Sequence, residues 1–240
     1  MRIPITILLF ISSLGSTAQI TDSLQYVLGK FEPTSHPDFA KVPISLADKE
    51  GMFLRKDALD SFRSMAQSAA ADGIQLRIIS ATRNFNHQKR IWESKWNGDR
   101  LVNGKNLKQT MPDPAFRAKE ILRYSSMPGT SRHHWGTDID INSLSSSYFK
   151  SGKGRKEYEW LVKNAGKFGF CQVYSTKNTD RPNGYEEEEW HWSYLPSAKR
   201  FQAYHLMHVT DDELVGFAGA RSLGIKEISG YVSGISPTCK

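Results

Sequence analysis

Residues 131–140, SRHHWGTDID, are the stretch that decides how this 240-residue chain folds. The segment passes a glycine, Gly136, and enters TDIDI, in which Asp138 and Asp140 alternate with isoleucines. Such alternation predicts a strand with one face toward a core and the other toward a site. Gly136 allows the backbone to turn from loop to strand, so the side chains of His133 and Asp140 are able to face one point in space.

A second segment, EEEEWHW at residues 186–192, has two readings: a solvated acidic run, or a carboxylate and an imidazole held for chemistry. Turn residues at Asn183 and Gly184 precede it and Pro196 follows it, so EWHWSYL is predicted to be a strand. FCQVY at residues 170–174 is predicted to be its hairpin partner. The two strands bring a distant part of the chain toward the first segment.

Hydrophobic spacing predicts the other elements. Residues 55–73 place apolar side chains on one face of an amphipathic helix that Gly73 ends, and a short strand follows at 74–81. Further helices are predicted over residues 86–96, 113–125, 154–169 and 197–207. Residues 20–50 are expected to wrap around the surface. Because helices and strands are interspersed, we predict an α+β fold with helices packed around a small antiparallel sheet.

The beginning of the chain resembles an export signal. Met1 and Arg2 precede an apolar run at residues 3–14, and small residues up to Ala18 follow it. The run is well short of the roughly 20 residues needed to span a bilayer. We expect a signal peptide at 1–18, a periplasmic or secreted mature protein in the cell envelope, and no integral membrane segment after cleavage.

Length and charge narrow the function classes. After cleavage, residues 19–240 are enough for a single domain with a sizeable core, and a monomer is expected. Lysine and arginine number 32 against 25 aspartates and glutamates, a formal charge of +7. The two signs are interleaved, which argues against a nucleic-acid partner in an exported protein.

Two cysteines, Cys171 and Cys239, suit an oxidising compartment. If they pair, the long loop that they close would stabilise the fold by about 4 kcal/mol. Alternatively, Cys171 is a small buried residue in an apolar strand. Neither cysteine has the spacing of a metal site, so any metal must be held by histidine and carboxylate.

Three residues form a candidate metal site. His133 and Asp140 come from the first segment and His191 from the second. Three nitrogen and oxygen donors with an open fourth position describe a catalytic zinc centre. Taken singly, each has a structural explanation: a loop histidine, a turn aspartate and a core imidazole. His134, beside His133, is a competing ligand.

Together the motifs resemble those of the zinc D-alanyl-D-alanine carboxypeptidases of the VanY type, in the wider group that includes the hedgehog signalling domain and lysostaphin-type endopeptidases. That family carries Ser-x-His-x-x-Gly-x-Ala-x-Asp and, some tens of residues later, Glu-x-Trp-His. The matching positions here are Ser131, His133, Gly136, Asp140, Glu188, Trp190 and His191. An upstream strand-end arginine and a glutamine match Arg83 and Gln88, and the resemblance extends over about residues 52–200.

The resemblance implies a role for each position. Zn²⁺ is held by His133, Asp140 and His191. Glu188 is the general base that activates water and then protonates the leaving amine, and Arg83 stabilises the oxyanion. Substrate-pocket positions are Gln88, Ser131 and Trp190.

Two positions depart from the family pattern. Asp138 stands where the family has alanine, and Glu189 stands where it has proline. Asp138 lies on the same strand face as Asp140 and is a conceivable metal-facing carboxylate, but the spacing from His133 favours Asp140. Glu186 and Glu187 are interpreted as a solvated lead-in.

The implied function is a zinc metallopeptidase that removes the terminal D-alanine from peptidoglycan stem peptides. An L,D-carboxypeptidase or an endopeptidase on peptidoglycan would use the same chemistry on another bond. A zinc-stabilised cell-wall binding module is the non-enzymatic alternative. Glu188 argues against it, because a structural metal site has no use for a general base.

Overall fold

The computed structural model of the protein describes residues 23–240. The larger sheet has four antiparallel strands, in the order β3 (Ile78–Ser80), β4 (Asp138–Ile141), β6 (His191–Tyr194) and β5 (Phe170–Gln172). A two-stranded antiparallel sheet contains β1 (Phe39–Lys41) and β2 (Phe53–Arg55). The predicted α+β fold with small antiparallel sheets is confirmed.

Helices surround these sheets. In residues 23–240 the α-helices are α1 (Leu24–Val27), α2 (Lys56–Ala71), α3 (Phe85–Trp96), α4 (Leu107–Thr110), α5 (Pro114–Ile121), α6 (Ser146–Phe149), α7 (Gly152–Asn164), α8 (Leu195–His208) and α9 (Ile225–Ser233). Short 3₁₀ helices occur at Ile44–Leu46, Arg132–Trp135, Ala165–Phe168 and Pro237–Cys239. Side chains cap several α-helices: Asn84 accepts from the His87 amide at the start of α3, and Asp113 caps α5.

The four-stranded sheet has one apolar and one polar face. Ile139, Ile141 and Trp192 belong to a buried hydrophobic cluster with α2. The α2 side chains in it are those predicted from helical spacing: Ala58, Leu59, Phe62, Met65, Ala66 and Ala69. Burial of each large side chain stabilises the fold by about 1.5–3 kcal/mol. The residues that alternate with them on β4 and β6 are polar.

Strand register places the two sequence motifs side by side. β4 and β6 are antiparallel neighbours, with Asp140 opposite His191 and Asp138 opposite Ser193. The predicted hairpin is also present, since β5 pairs with β6 along Phe170–Gln172. Residues 51 apart in sequence therefore share one strand pair.

One expectation about local structure was wrong. Residues 23–50 do not simply wrap the surface, because Tyr26, Val27 and Leu28, in and next to α1, are buried in a hydrophobic cluster with Phe201 of α8. The strand β6 ends at Tyr194, two residues before Pro196, as the sequence predicts. Pro196 lies in the first turn of α8, where a missing amide donor costs nothing.

The two cysteines form a disulfide. Cys171 on β5 is bonded to Cys239, 68 residues later, and the described chain has no free cysteine. Closure of so long a loop restricts the unfolded chain and stabilises the fold by about 4 kcal/mol. The bond attaches the C-terminal segment to the edge strand of the sheet.

The expected signal peptide, residues 1–18, lies outside the described residues. Between residues 23 and 240, no helix has both the length and the apolar character required to cross a membrane. The single domain from residue 19 and the monomeric state stay predictions.

Candidate metal and catalytic site

Three donor side chains converge on the polar face of the sheet. His133 lies in the 3₁₀ turn before β4, Asp140 on β4 and His191 on β6, and one ligand atom of each lies within 4.8 Å of the others. Asp140 Oδ1 is 3.4 Å from His133 Nε2 and 3.5 Å from His191 Nδ1. All three residues are buried. This buried His-Asp-His group is suited to holding a metal ion.

Two ligand atoms in this group have no hydrogen-bond partner in the described part of the chain. His133 Nε2 and Asp140 Oδ1 are buried and make no hydrogen bond with any residue in the described part of the chain. A buried polar atom without a partner is costly and calls for an explanation. A bound cation would satisfy both atoms, so the residues present fit a metal ion.

The ring of His133 is held with its ligand nitrogen toward the site. Its Nδ1 lies 2.8 Å from the carbonyl oxygen of Ala81, at the end of β3. An Nδ1–H that donates to this carbonyl leaves the Nε2 lone pair for a metal. Burial, followed by the charge of Arg83, lowers the pKa of His133, which favours the neutral, metal-binding form.

His191 is held from the opposite side. Its Nε2 is 2.9 Å from Asp138 Oδ2, which leaves Nδ1 directed at the donor group. Burial alone would lower the pKa of His191, but the hydrogen bonds to Asp138 and Glu188 outweigh it and raise the pKa to about 9 in the metal-free protein. A metal ion that binds Nδ1 must therefore displace a proton.

Asp138 is not a fourth donor. Its carboxylate accepts hydrogen bonds from Arg132 Nε at 2.9 Å, and from the hydroxyls of Thr137 and Ser193 at 2.7 Å. Burial would raise the pKa of Asp138, but Arg132 and His191 together hold it well below its usual range. The residue that replaces the family alanine thus forms a buried ion pair and orients His191.

The competing histidines have other partners. His134 Nδ1 lies 2.6 Å from the Arg83 carbonyl oxygen, and its Nε2 accepts from the Gly129 amide at 3.0 Å. Burial lowers the pKa of His134 to about 3, so the ring is neutral and both nitrogens are occupied. His205 is also buried, and its Nε2 lies 2.9 Å from the Gly129 carbonyl oxygen.

Glu188 lies at the rim of the donor group. Its Oε2 is 3.2 Å from His191 Nδ1, and the residue is 6% exposed. Burial raises the pKa of Glu188 and the Asp140 charge adds to this, against the opposing effect of His191. A carboxylate with a raised pKa beside a metal-binding atom is suited to accept and return a proton.

Arg83 projects from the loop after β3 toward the same point. Its Nη1 donates to Ser80 Oγ at 2.7 Å and lies 3.5 Å from Asp140 Oδ2, and its Nε donates to Gln88 Oε1 at 2.9 Å. Nη2 makes no hydrogen bond to any residue from 23 to 240. The guanidinium is therefore fixed on two sides with one donor group free.

A cavity of about 440 Å³ opens over these groups. Of the three substrate-pocket positions from the sequence, Gln88 and Trp190 line it. Ser131 does not; it is buried and its hydroxyl makes no hydrogen bond within residues 23–240. Both the oxygen and the nitrogen of the Gln88 amide form hydrogen bonds, because the nitrogen also donates to the Ser126 carbonyl at 2.7 Å.

Sequence reasoning missed two features of this cavity. Lys95 of α3 lines it, and the signal was available as the seven-residue interval from Gln88, which places both on one helix face. Glu189, the other departure from the family pattern, is buried and accepts from Ser146 Oγ and Lys150 Nζ, each at 2.8 Å. It thereby holds the segment around α6, part of which lines the cavity. This contact was not predictable from the sequence, because Ser146 and Lys150 lie about 40 residues from Glu189 in the chain.

Comparison with known proteins agrees with this arrangement. The sequence model of the VanY family, described as D-alanyl-D-alanine carboxypeptidase, matches residues 51–197. YodJ of Bacillus subtilis (strain 168), assigned by name to the carboxypeptidases, is 30% identical over 179 residues, which are 71% of this chain and 57% of YodJ. The D-alanyl-D-alanine carboxypeptidase of Enterococcus faecalis (strain ATCC 700802 / V583) is 27% identical over 143 residues, 60% of this chain and 48% of that protein. The chain spans about half the length of these curated relatives.

A solved structure shares the fold. The LdcB LD-carboxypeptidase aligns with a TM-score of 0.52 at 24% identity, over 74% of this chain and 75% of that one. At this level of identity the likeness concerns the fold alone. The family match is the stronger finding, because it covers more than half of the chain and includes every donor residue described above. The chain therefore belongs to the VanY family of D-alanyl-D-alanine carboxypeptidases.

Proposed function

We propose that the protein is a zinc-dependent D-alanyl-D-alanine carboxypeptidase that shortens peptidoglycan stem peptides in the cell envelope. The observation that carries the proposal is the buried His-Asp-His group, in which two donor atoms have no hydrogen-bond partner among residues 23–240 and a carboxylate with a raised pKa lies alongside. A nitrogen and oxygen donor set of three, next to an open cavity, is the pattern of a catalytic zinc site.

The residues His133, Asp140 and His191 would hold the ion. When bound, zinc supplies a Lewis acid that polarises the scissile carbonyl and makes water a better nucleophile at neutral pH. The Ala81 carbonyl and the Asp138 carboxylate keep the two imidazoles in the tautomers that this requires.

Glu188 is the proposed general base and acid. Its Oε2, 3.2 Å from His191 Nδ1, would accept a proton from the attacking water and return it to the amine of the departing D-alanine. The carbon–nitrogen bond then breaks with the proton on the leaving group. Burial of Glu188 raises its pKa and so makes it a stronger base.

Arg83 is the proposed stabiliser of negative charge. Its Nη2 would donate to the carbonyl oxygen as that oxygen gains charge, while Ser80 and Gln88 hold the rest of the guanidinium. Because the donor is fixed before the reaction, little reorganisation is needed when the charge develops. Gln88 thus supports Arg83, and Trp190 forms part of the cavity wall. Ser131 does not line the cavity and stays a candidate on the family pattern alone.

Cleavage assays test the function directly. The mature protein is incubated with a muramyl pentapeptide and with cross-linked muropeptides, with and without a chelator, and the products are separated by mass. We expect loss of one D-alanine from the pentapeptide, abolished by the chelator and restored by zinc. Cleavage at another bond would favour the L,D-carboxypeptidase or the endopeptidase, and no metal-dependent product from any peptide would refute the enzyme.

A pair of neighbouring glutamates supplies the matched control. Glu188→Gln should lower kcat by about 10²- to 10⁴-fold while zinc still binds, since general acid–base catalysis contributes about that much. Glu187→Gln removes the same charge from a half-exposed neighbour and should leave kcat near that of the wild type. Undiminished activity in Glu188→Gln would refute its role.

A further inference from the structure

One wall of the cavity is a face of helix α3. Gln88, Ile91 and Lys95 line the cavity from positions three and seven residues apart, which is the spacing of one helix face. The metal-donor group lies on another part of the cavity lining. The α3 wall therefore borders the space that a peptide would occupy beside the reacting carbonyl.

Lys95 forms no ion pair with an acidic residue among residues 23–240. It is half-buried, and its ammonium donates a hydrogen bond to Ser125 Oγ. Within residues 23–240 no carboxylate oxygen lies within 4 Å of its Nζ, whereas Lys89 on the same helix is 3.9 Å from Glu93. An ammonium group has three donors. The Lys95 ammonium uses one of its three N–H donors on Ser125, and the other two have no acceptor in the described part of the chain.

A continuous set of contacts connects Lys95 with the reacting groups. Arg83, 3.5 Å from Asp140, donates to Gln88, and the Gln88 amide donates to the Ser126 carbonyl. Lys95 binds the next residue along the same segment, Ser125. Lys95 and Gln88 thus contact adjacent residues of one segment, Ser125 and Ser126.

The charge of Lys95 persists at neutral pH. Burial, and then the charge of Arg100, lowers the pKa of Lys95 to about 8, while Glu188 opposes this shift. A partly desolvated cation of this kind gains from an incoming anion, because the anion compensates a charge that water no longer fully solvates. The chemistry that suits it is a carboxylate.

We propose that Lys95 and Ser125 form the subsite that binds the free C-terminal carboxylate of the peptide, which restricts cleavage to the last residue of the chain. The inference rests on the proposed function and deepens it, because it identifies the group that distinguishes a chain end from an internal bond. A cross-linked or extended peptide has an amide at that point. It offers the ammonium group no negative charge.

A comparison of two peptides tests the subsite. One ends in D-alanyl-D-alanine with a free carboxylate, and the other carries a C-terminal amide. Since hydrogen bonds between charged groups are among the stronger ones, wild-type protein should prefer the acid by about tenfold or more in kcat/KM. Lys95→Met should bring this ratio close to one, through KM more than kcat. Lys95→Arg should retain much of the preference.

Lys89→Met is the matched control. It removes one cation from the same helix, outside the cavity lining, and should keep the wild-type ratio of acid to amide. If Lys95→Met impairs the acid and the amide equally, or neither, the subsite is refuted.

Calorimetric binding separates this inference from the proposed function. N-acetyl-D-alanyl-D-alanine and its amide are titrated into the Glu188→Gln protein, with and without Lys95→Met. A preference for the acid that Lys95→Met removes would support the subsite even if the wild type hydrolysed neither peptide, in which case the proposed function alone would fail. Equal binding of acid and amide by protein that carries Lys95 would refute the subsite.

Discussion

The side chains on the two faces of the four-stranded sheet differ in their interaction partners. On one face, Ile139, Ile141 and Trp192 are buried in a hydrophobic cluster with side chains of α2. On the other face, the alternate residues Asp140 and His191 line a cavity, and two buried atoms there, His133 Nε2 and Asp140 Oδ1, make no hydrogen bond in the described part of the chain. The apolar face stabilises the fold, whereas the polar face presents a group suited to a metal ion.

The polar face itself has two ends. Asp138 is enclosed, with Arg132, Thr137, Ser193 and His191 around its carboxylate. Asp140, two residues along the same strand, has one oxygen 3.5 Å from Arg83 Nη1, and its other oxygen makes no hydrogen bond with residues 23–240. Because side chains alternate along a strand, both aspartates lie on the same face of the sheet. The residues around each carboxylate make Asp138 a hydrogen-bonded structural group and leave Asp140 as the candidate metal ligand.

The largest effect should come from Asp140→Asn. Loss of one of three charged or imidazole donors should weaken zinc binding by more than about 100-fold, beyond the effect expected of a residue that only orients a ligand. Competition with a chromogenic chelator measures the affinity. Near-wild-type affinity would mean that Asp140 is not a ligand.

Asp138→Ala, which restores the family residue, should affect both stability and the metal. The buried Arg132 guanidinium would lose its partner, at a cost of about 3–5 kcal/mol in the free energy of unfolding. Zinc affinity should fall about 10- to 100-fold, because His191 loses the acceptor that orients it. Urea denaturation of metal-free protein and chelator competition measure the two effects.

The double variant Asp138→Ala with Arg132→Met separates these effects. Removal of both charges should recover much of the stability, since a buried ion pair is replaceable by apolar groups. It should not recover zinc affinity, because His191 still lacks its acceptor. Recovery of both would show that Asp138 acts on the metal through folding alone.

Ile139→Ala tests the apolar face of the sheet, because it removes a side chain from the hydrophobic cluster there. The side chain is fully buried between the two aspartates of β4, so its truncation should lower the free energy of unfolding by about 2–5 kcal/mol. Zinc affinity, measured where the protein is folded, should stay within a few-fold of wild type. A loss of affinity like that of Asp140→Asn would contradict the division between the faces.

Zinc binding should also depend on pH. The pKa of His191 is raised from 6.5 to about 9 in the metal-free protein, so zinc must displace one proton there at neutral pH. Apparent affinity should fall about tenfold for each unit that the pH drops below about 9, and level off above it. Calorimetry in buffers of different ionisation enthalpy counts the proton, and release of none would contradict the assignment.

The same shift has a consequence for the metal-free fold. Because the pKa of His191 is raised in the folded state, the stability that its proton contributes is fully present below the ordinary value of 6.5. That contribution is lost as the pH rises through about 9. Urea denaturation of metal-free protein at pH 6.5 and 9 measures the difference.

Much of the fold was predictable because it follows from short-range patterns. Helical spacing identified α2 together with its buried residues, alternation identified β4, and the flanking turn and proline residues identified β6. The donor residues were predictable because each lies at a characteristic spacing inside a short motif. The burial of Tyr26 and its neighbours was not, since it depends on packing against α8, about 170 residues away in the chain.

The amino-acid order by itself therefore marked the candidate residues for the chemistry, since His133, Asp140, Glu188 and His191 stand at the spacing of the two motifs. Tertiary structure decided their states. Both ring nitrogens of His134 are hydrogen-bonded, to the Gly129 amide and the Arg83 carbonyl, and the Asp138 carboxylate is paired with Arg132. Asp140 Oδ1, by contrast, makes no hydrogen bond within residues 23–240, and Lys95 lies in the cavity lining. The reason is physical: a side chain's identity and position in a strand or helix are local properties, whereas its hydrogen-bond partners and its solvation come from segments distant in the chain.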